Sequence, residues 1–321
     1  MGKIALFGAA GAIGNSIAAA LRANQQEYRV VGRSREALQR DFGSDPLAEV
    51  VTWNPDDPAS IRAAASGADT IVYLVGVPYD HFELHPQLMR KTLYGAFAAG
   101  VPRILLIGTV YPYGRAQTNP VREDHARDPH TFKGRMRKEQ EDLLLEADAQ
   151  GRIRGAVLRL PDFYGPGVDK SFLHMIFVAA AKGTRAQVIG PLDTPHEYVF
   201  VPDVGPVVLR LTDPSIPYGH VWHLAGAGTI TTREVVNRAF ALTGHKPRML
   251  VAGKTTLRLM GLFNPLMREM VEMNYLQTSP LVLDDSALRG LLGEIKKTPY
   301  DEGIRQCVKA ARASLSGAKQ T

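Results

Sequence analysis

The sequence predicts an α/β protein: a Rossmann-like, doubly wound parallel sheet with a smaller, partly interwoven C-terminal lobe. Three observations lead there. Short apolar runs alternate with helix-length segments through the first half of the chain. The first run closes on a glycine and opens directly into a helical pattern. After Leu160 the alternation breaks, and turn formers gather in "PDFYGPG".

Taken in order, "KIALFG" is the first strand and Ala12–Ala23 the first helix. "YRVVG" and "AEVVTW" are the second and third strands. Asp57, Pro58 and Ser60 mark the mouth of another helix, because a short acceptor side chain followed by proline suits a helix start. "DTIVYLVGV" is the fourth strand, a helix covers about Leu84–Ala99, and "RILLIG" is the fifth strand. A helix opens near Lys133, and "RGAVLRL" follows as the sixth strand. Apolar strands separated by a dozen or more helical residues imply a parallel sheet covered on both faces. Residues 1–160 therefore read as one domain, its sheet open to completion by later segments. Residues 161–321 read mainly as the second lobe, with short strands at "QVIG" and "YVFV". Helices are expected there around Asp203–Thr212, Thr231–Leu242 and Lys254–Phe263.

Composition narrows the classes. Hydrophobic residues make up 45% and charged residues 22% of 321, enough apolar side chains for a substantial core. The formal charge of +6 is dispersed, and in its densest patch, "GRMRKEQED", acids follow the cations at once. That is a solvated helix face rather than a nucleic-acid surface, and the mild excess suits phosphorylated small molecules. The single cysteine, Cys307, excludes an intrachain disulfide and a cysteine-rich metal cluster. No histidine spacing suggests a metal set, so none is expected. The N-terminus lacks a signal-peptide pattern, and the apolar run around Phe172–Ala181 is too short to span a bilayer. A cytoplasmic location without membrane partners is the expectation, with room for a homodimer.

"FGAAGAIG" sets Gly8, Gly11 and Gly14 between a strand and a helix. Gly8 permits a tight turn, Gly11 lets backbone approach a pyrophosphate, and Gly14 lets the helix pack closely on the sheet. The amides around Ala10, Gly11, Ala12 and Ile13 then face the phosphates at a helix N-terminus. The second strand ends "VVGRS" with no acid for adenosine ribose hydroxyls. Arg33 can pair with a 2′-phosphate instead, with Ser34 hydrogen bonding beside it. NADP(H) is therefore favoured over NAD(H). Asn54 is either an adenine ligand or an ordinary turn residue. Val75, Gly76 and Val77 end the fourth strand where a dinucleotide would cross the sheet, and Gly76 admits it closely.

Together, "GAAGAIG" at 8–14, "VGV" at 75–77, "GTVYPYG" at 108–114, "RLPDFYGPG" at 159–167 and "FVPDV" at 200–204 resemble the short-chain dehydrogenase/reductase superfamily. The resemblance is to its extended, nucleotide-sugar-epimerase-like branch and covers nearly the whole chain. It implies that Thr109 hydrogen bonds the reacting oxygen, and that Pro161 lies where the nicotinamide carboxamide is contacted. It assigns Tyr113 and Tyr164 mostly to scaffolding, and Asp203 to anchoring the lobe. In the family a Y-x-x-x-K pair opens the next helix, the tyrosine moving a proton and the lysine binding nicotinamide ribose. Counting back from Glu141 puts Lys133 at the tyrosine position and Arg137 at the lysine position. The two most informative residues depart from the pattern.

Without the family, Lys133 and Arg137 stand i,i+4 on one helical face. Arg137 can bind ribose or phosphate oxygens through its fork but exchanges no proton at neutral pH. A partly desolvated Lys133 beside another cation can act as acid or base; equally, it can be a solvent-facing first-turn residue. Tyr111 is the sharpest alternative proton donor. Phe163, Phe172, Phe177 and Met175 form either an apolar pocket or lobe core. The expected function is an NADP(H)-dependent oxidoreductase reducing a carbonyl or enone of a small molecule, with Thr109 polarising the oxygen and Lys133, Tyr111 or water handling the proton. Two alternatives stand beside it: an NADP(H)-binding sensor without turnover, marked by a crowded cleft lacking a proton donor, and a nucleotide-sugar epimerase or dehydratase.

Overall fold

The computed structural model describes residues 2–169, 171–253, 269 and 271–317. Five strand–helix units and a sixth strand build the core: β1 Ile4–Phe7, α1 Ala12–Ala23, β2 Tyr28–Gly32, α2 Arg35–Phe42, β3 Ala48–Thr52, α3 Pro58–Ala65, β4 Thr70–Tyr73, α4 Leu84–Ala99, β5 Arg103–Thr109, α5 Phe132–Ala149 and β6 Arg154–Leu160. β7 Asp162–Tyr164 follows, then α6 His174–Lys182, β8 Ala186–Ile189, β9 Pro195–Phe200, α7 Val201–Leu211, β10 Val221–His223, β11 Thr229–Thr231, α8 Thr232–Ala241 and β12 Met249–Ala252. The main sheet has seven parallel strands in the order β10-β6-β5-β4-β1-β2-β3, the reversal at β1/β4 defining a doubly wound fold.

The strands are apolar throughout because both faces are covered. Every residue of β1 and β4 is buried. Leu6, Val30, Val72, Leu105 and Leu158 pack into one layer, while Phe7, Val31, Ile71, Ile104 and Val157 pack into the other. Side chains that alternate faces along a strand thus feed two cores from one sheet. The sequence extends the fourth strand to Val77, but it ends at Tyr73; Leu74 still bonds Phe7, and "VGV" lies beyond the ladder.

Local signals start the helices where expected. Asp57 accepts a hydrogen bond from Ala59 N–H at 2.9 Å, with Pro58 in the first turn. Thr131 caps α5 by accepting from Gly134 N–H at 3.1 Å.

The second half of the chain completes the first. β10 pairs in parallel with β6, Val221 opposite Val157. Helix α7 lies against α1, where Ser16 Oγ donates to Val201 O at 2.7 Å and accepts from Gly205 N at 3.0 Å. A side chain at Gly205 would overlap the Ser16 carbonyl. The remaining lobe has a three-stranded sheet, β11-β9-β7, and a two-stranded one, β12-β8. Phe177 belongs to this lobe's core with Val235, Phe240 and Ile304, whereas Met175 is exposed. Asp203 accepts from Thr298 N at 2.6 Å and Thr298 Oγ1 at 2.8 Å, the anchoring role its resemblance implied. The helix expected at Lys254–Phe263 lies outside the described residues. Among the described residues no helix is long and apolar enough to cross a membrane.

Candidate active site

The C-terminal edge of the main sheet gathers the residues the sequence singled out. At the glycine turn, Gly8 has φ +88°, and a Cβ there would sit 2.7 Å from Val75 Cα and N. Both conformation and contact therefore demand glycine. A Cβ on Gly14 would overlap the carbonyl of Ala9, so close helix–sheet packing requires its absence. Gly11 is different: it is exposed, a Cβ there would meet nothing within 4 Å, and as N-cap of α1 it offers no side-chain acceptor. Ala10 is exposed, and Ala12 and Ile13 are half-buried. This open, uncapped cradle fits the pyrophosphate of a dinucleotide, held by the backbone of Ala10–Gly14. Gly76 is likewise exposed with open space beside it.

Beside this turn, Gly8 N–H donates to Val31 O at 2.8 Å, tying the end of β2 to the cradle. Arg33, just beyond β2, is exposed. Ser34 is committed locally: its Oγ accepts from Ala37 N–H at 3.1 Å and donates to Glu36 Oε2 at 2.9 Å, capping α2. Asn54 shapes a turn, its Oδ1 accepting from Asp56 N–H at 2.9 Å.

At the end of β5, Thr109 is half-buried and its Oγ1 accepts from Tyr111 N–H at 3.4 Å. A single 3₁₀ turn, Tyr111–Tyr113, follows. The phenol of Tyr111 lies beside Tyr79, and its ring stacks on Phe82 with centroids 6.3 Å apart. Burial pushes both phenols far above their usual range, so they stay protonated.

Tyr113 points elsewhere. Glu141 takes two hydrogen bonds from Arg159, at 3.1 and 2.5 Å, with both side chains buried. Arg159 Nη1 also donates to Tyr113 Oη at 2.5 Å. His223 Nδ1 lies 3.0 Å from Asp284 O, which can only accept, so His223 Nε2 accepts the Tyr113 hydroxyl proton at 2.5 Å. Burial and the nearby Arg159 push the imidazole down to about 4, keeping it neutral. Tyr113 is thus scaffolding, as is Tyr164, whose ring stacks on Tyr300.

At the mouth of α5, Lys133 is only 1% exposed. Its ammonium donates to Glu269 and, at 2.7 Å, to Glu272; its backbone N–H donates to Glu272 Oε1 at 3.1 Å. The rings of Tyr79 and Phe82 flank it at 5.0 and 5.5 Å. Lys133 is therefore neither solvent-facing nor free, but an ionic staple between α5 and the carboxylates of Glu269 and Glu272. Arg137 is buried too, donating to Ile107 O at 3.2 Å and lying 3.2 Å from His85 Nδ1. Burial and Arg137 drive His85 down to about 2, so the neutral ring accepts from the guanidinium.

A small cavity of about 10 Å³, room for roughly one water, opens between these elements. Tyr79, Tyr111, Asp162, Phe172 and Met273 line it with Asn274 and Gln277; Phe163 instead packs against the main core. Pro161 is buried at the turn from β6 into β7 that delivers Asp162. Desolvation raises the Asp162 carboxyl above its usual range, with His196 opposing. A larger groove of about 820 Å³ lies between α3 and α4, lined by Pro58, Ile61 and Tyr94, away from the sheet edge.

Comparison with known proteins matches residues 4–225 to the model of the NAD dependent epimerase/dehydratase family. The chain belongs to that family. A dTDP-6-deoxy-L-talose 4-dehydrogenase (NAD(P)(+)) of Kitasatospora kifunensis is 26% identical over 233 residues, covering 67% of this chain and 71% of that protein. Among solved structures, dTDP-glucose 4,6-dehydratase DesIV of Streptomyces venezuelae, with NAD and TYD bound, superposes with TM-score 0.81 at 17% identity, covering 98% of each chain. WbmH of Bordetella bronchiseptica, in complex with NAD+, gives 0.77 at 20%, covering 97% of this chain and 99% of that one. RMD of Pseudomonas aeruginosa, complexed with NADPH, gives 0.77 at 15%, covering 98% and 100%. At these identities the structural likeness is one of fold, that of NAD(P)-dependent oxidoreductases and epimerases.

Sequence reasoning missed Tyr79, Asp162, Glu269 and Glu272. Asp162 carried a readable signal, a carboxyl directly after the apolar sixth strand. The two glutamates in "REMVEM" carried none, because only the tertiary fold brings them to Lys133.

Proposed function

We propose that the protein is a nicotinamide-dinucleotide-dependent oxidoreductase acting on a nucleotide-linked sugar. The observation that carries this reading is the cradle: Gly8 and Gly14 exclude side chains by contact, while Gly11 leaves open space before an uncapped helix. Bound there, the dinucleotide supplies hydride donor and acceptor chemistry. Thr109, at the end of β5, is placed to hydrogen bond the reacting oxygen, and the backbone of the glycine turn positions the phosphates. Family membership and the sugar-nucleotide relatives support this substrate class over a general carbonyl or enone reductase. NADP(H) is the favoured form and NAD(H) a second, because Arg33 is exposed beside the turn and the end of β2 has no acid. The nearby Glu36 carboxylate works against a 2′-phosphate, so Arg33 must outweigh it.

A second reading, a dinucleotide binder without turnover, is favoured by one observation: the cavity holds about one water, and Lys133 is locked between two carboxylates. Calorimetry with NADPH and NADH, followed by absorbance at the nicotinamide band, separates them. Added dTDP-6-deoxy-L-talose with either oxidised coenzyme, and a simple ketone and enone with reduced coenzyme, form the panel. Turnover of a sugar nucleotide but not of the simple carbonyls supports the proposal. Binding without turnover supports the second reading, and no affinity for either coenzyme overturns both.

A further inference from the structure

We propose that Asp162 is the proton donor of this site, its carboxyl serving the substrate oxygen while the neighbouring phenols of Tyr111 and Tyr79 orient that oxygen. The inference rests on the oxidoreductase reading and extends it to a residue outside the family's Y-x-x-x-K pair.

The position that handles the proton in that pattern is closed to it. Lys133 Nζ points into Glu269 and Glu272, and Lys133 does not line the cavity. Asp162 does line it, at the first residue of β7 and two residues past the end of β6. Among the described residues no lysine or arginine pairs with Asp162, and no hydrogen bond fixes its oxygens. Its carboxyl therefore keeps a free direction into the cavity.

The groups facing it are His196 on β9, Tyr198 on the same strand, Tyr79 and Tyr111 across the cavity, and Tyr275 beyond. His196 is held by backbone, its Nε2 lying 2.7 Å from Leu276 O. Removal from water favours the neutral carboxyl, and the same burial keeps the phenols of Tyr79, Tyr111, Tyr198 and Tyr275 protonated. The phenols can donate hydrogen bonds but part with a proton only at high pH. Of the acids around the cavity, Asp162 gives up its proton most readily.

The step balances simply. With a reduced nicotinamide dinucleotide as reductant, the substrate carbonyl carbon gains hydride and its π pair moves to oxygen. That oxygen takes the proton from the Asp162 O–H, and the carboxylate left behind recovers one from solvent. The reverse direction uses Asp162 as base.

The test uses Asp162→Asn and Asp162→Glu in the full chain. Infrared difference spectra of wild type against Asp162→Asn, without coenzyme and stepped in pH, read the carboxyl directly. The expected result is a protonated-carboxyl band, absent from the variant, that disappears only above the usual aspartate range. A carboxyl that titrates like an exposed aspartate overturns the proposal. On the sugar nucleotide that turns over, Asp162→Asn should lower kcat on the order of a hundredfold or more, with KM and coenzyme affinity little changed. Asp162→Glu should recover part of the rate, and wild-type reduction should fade as pH rises through the infrared midpoint. Wild-type kcat in a folded, coenzyme-binding Asp162→Asn overturns this inference alone. Coenzyme binding without turnover by wild type overturns it together with the oxidoreductase reading.

Discussion

The glycine turn and the start of α5 both lie at the C-terminal edge of one sheet, yet different physics fixes them. At the turn, shape decides: Gly8, Gly11 and Gly14 are set by what a Cβ would strike or leave open. At α5, charge decides: Lys133, Arg137, Glu141 and Arg159 are all buried and held by partners from distant parts of the chain. A shape requirement is local, so a short motif encodes it. A buried-charge requirement is distributed, so one substitution at Lys133 draws in Glu269 and Glu272, over a hundred positions away.

The comparison breaks most readily at Glu141. Arg159 is buried and takes its charge compensation from this carboxylate at 2.5 Å. Glu141→Gln should destabilise the protein by about 3–5 kcal/mol, since removing one partner strands a buried charge. Urea unfolding measures it. A loss below about 1 kcal/mol would mean that the Tyr113 hydroxyl suffices as a partner for Arg159, and that the charge network is not what holds this end.

Gly14→Ala probes the shape end. Its methyl would overlap Ala9 backbone, which cannot swing aside like a side chain. The expected cost is about 1–3 kcal/mol, the usual range for overpacking, again by urea unfolding. An unchanged midpoint would show that α1 can retreat from the sheet, removing the argument from close packing.

The charge end also has a pH signature. His223 is held down at about 4 against an ordinary 6.5, so between those values the unfolded chain binds more protons and stability falls as pH drops. His85, driven to about 2, acts in the same direction. Glu197, raised by burial to about 7 against 4.5, does the opposite: the folded chain binds the extra proton, and stability falls as pH rises from 4.5 to 7. Asp162 adds to that side. Glu197→Gln keeps the acceptor for Leu283 N–H while removing the titration. Its unfolding midpoint should rise more steeply than wild type between pH 4.5 and 6.5, by at most about 1.4 kcal/mol per pH unit. Parallel profiles would place the Glu197 carboxyl in its ordinary range.

Legibility followed the same division. The strand alternation, the helix mouth at Asp57 and the glycine turn were readable because each depends on neighbours in sequence. The fourth strand was overextended because "VGV" is as apolar as the ladder before it; Val75 is buried against Gly8 of the turn without pairing in the ladder. The assignment of Tyr113, Tyr164 and Asp203 to scaffold agrees with their contacts. The fate of Lys133 was not readable, since its partners carry no pattern, and neither was the narrowness of the cavity, which Met273, Asn274 and Gln277 help enclose.

The smallest stability effect is expected where the functional effect is specific. Gly11 has φ −165°, extended backbone that any residue adopts, and its missing side chain would enter empty space. Gly11→Ala should therefore shift the unfolding midpoint by less than about 0.5 kcal/mol, the range of uninvolved surface changes. If that space belongs to a pyrophosphate, the same methyl should weaken NADPH and NADH alike by on the order of tenfold, about 1.4 kcal/mol. Arg33→Ser, by contrast, should weaken NADPH and spare NADH. The pair of titrations separates the cradle from the 2′-phosphate contact. Equal coenzyme affinity in Gly11→Ala and wild type would mean that Gly11 faces solvent rather than phosphate. The likeness between this turn and the family's cradle would then be one of backbone alone.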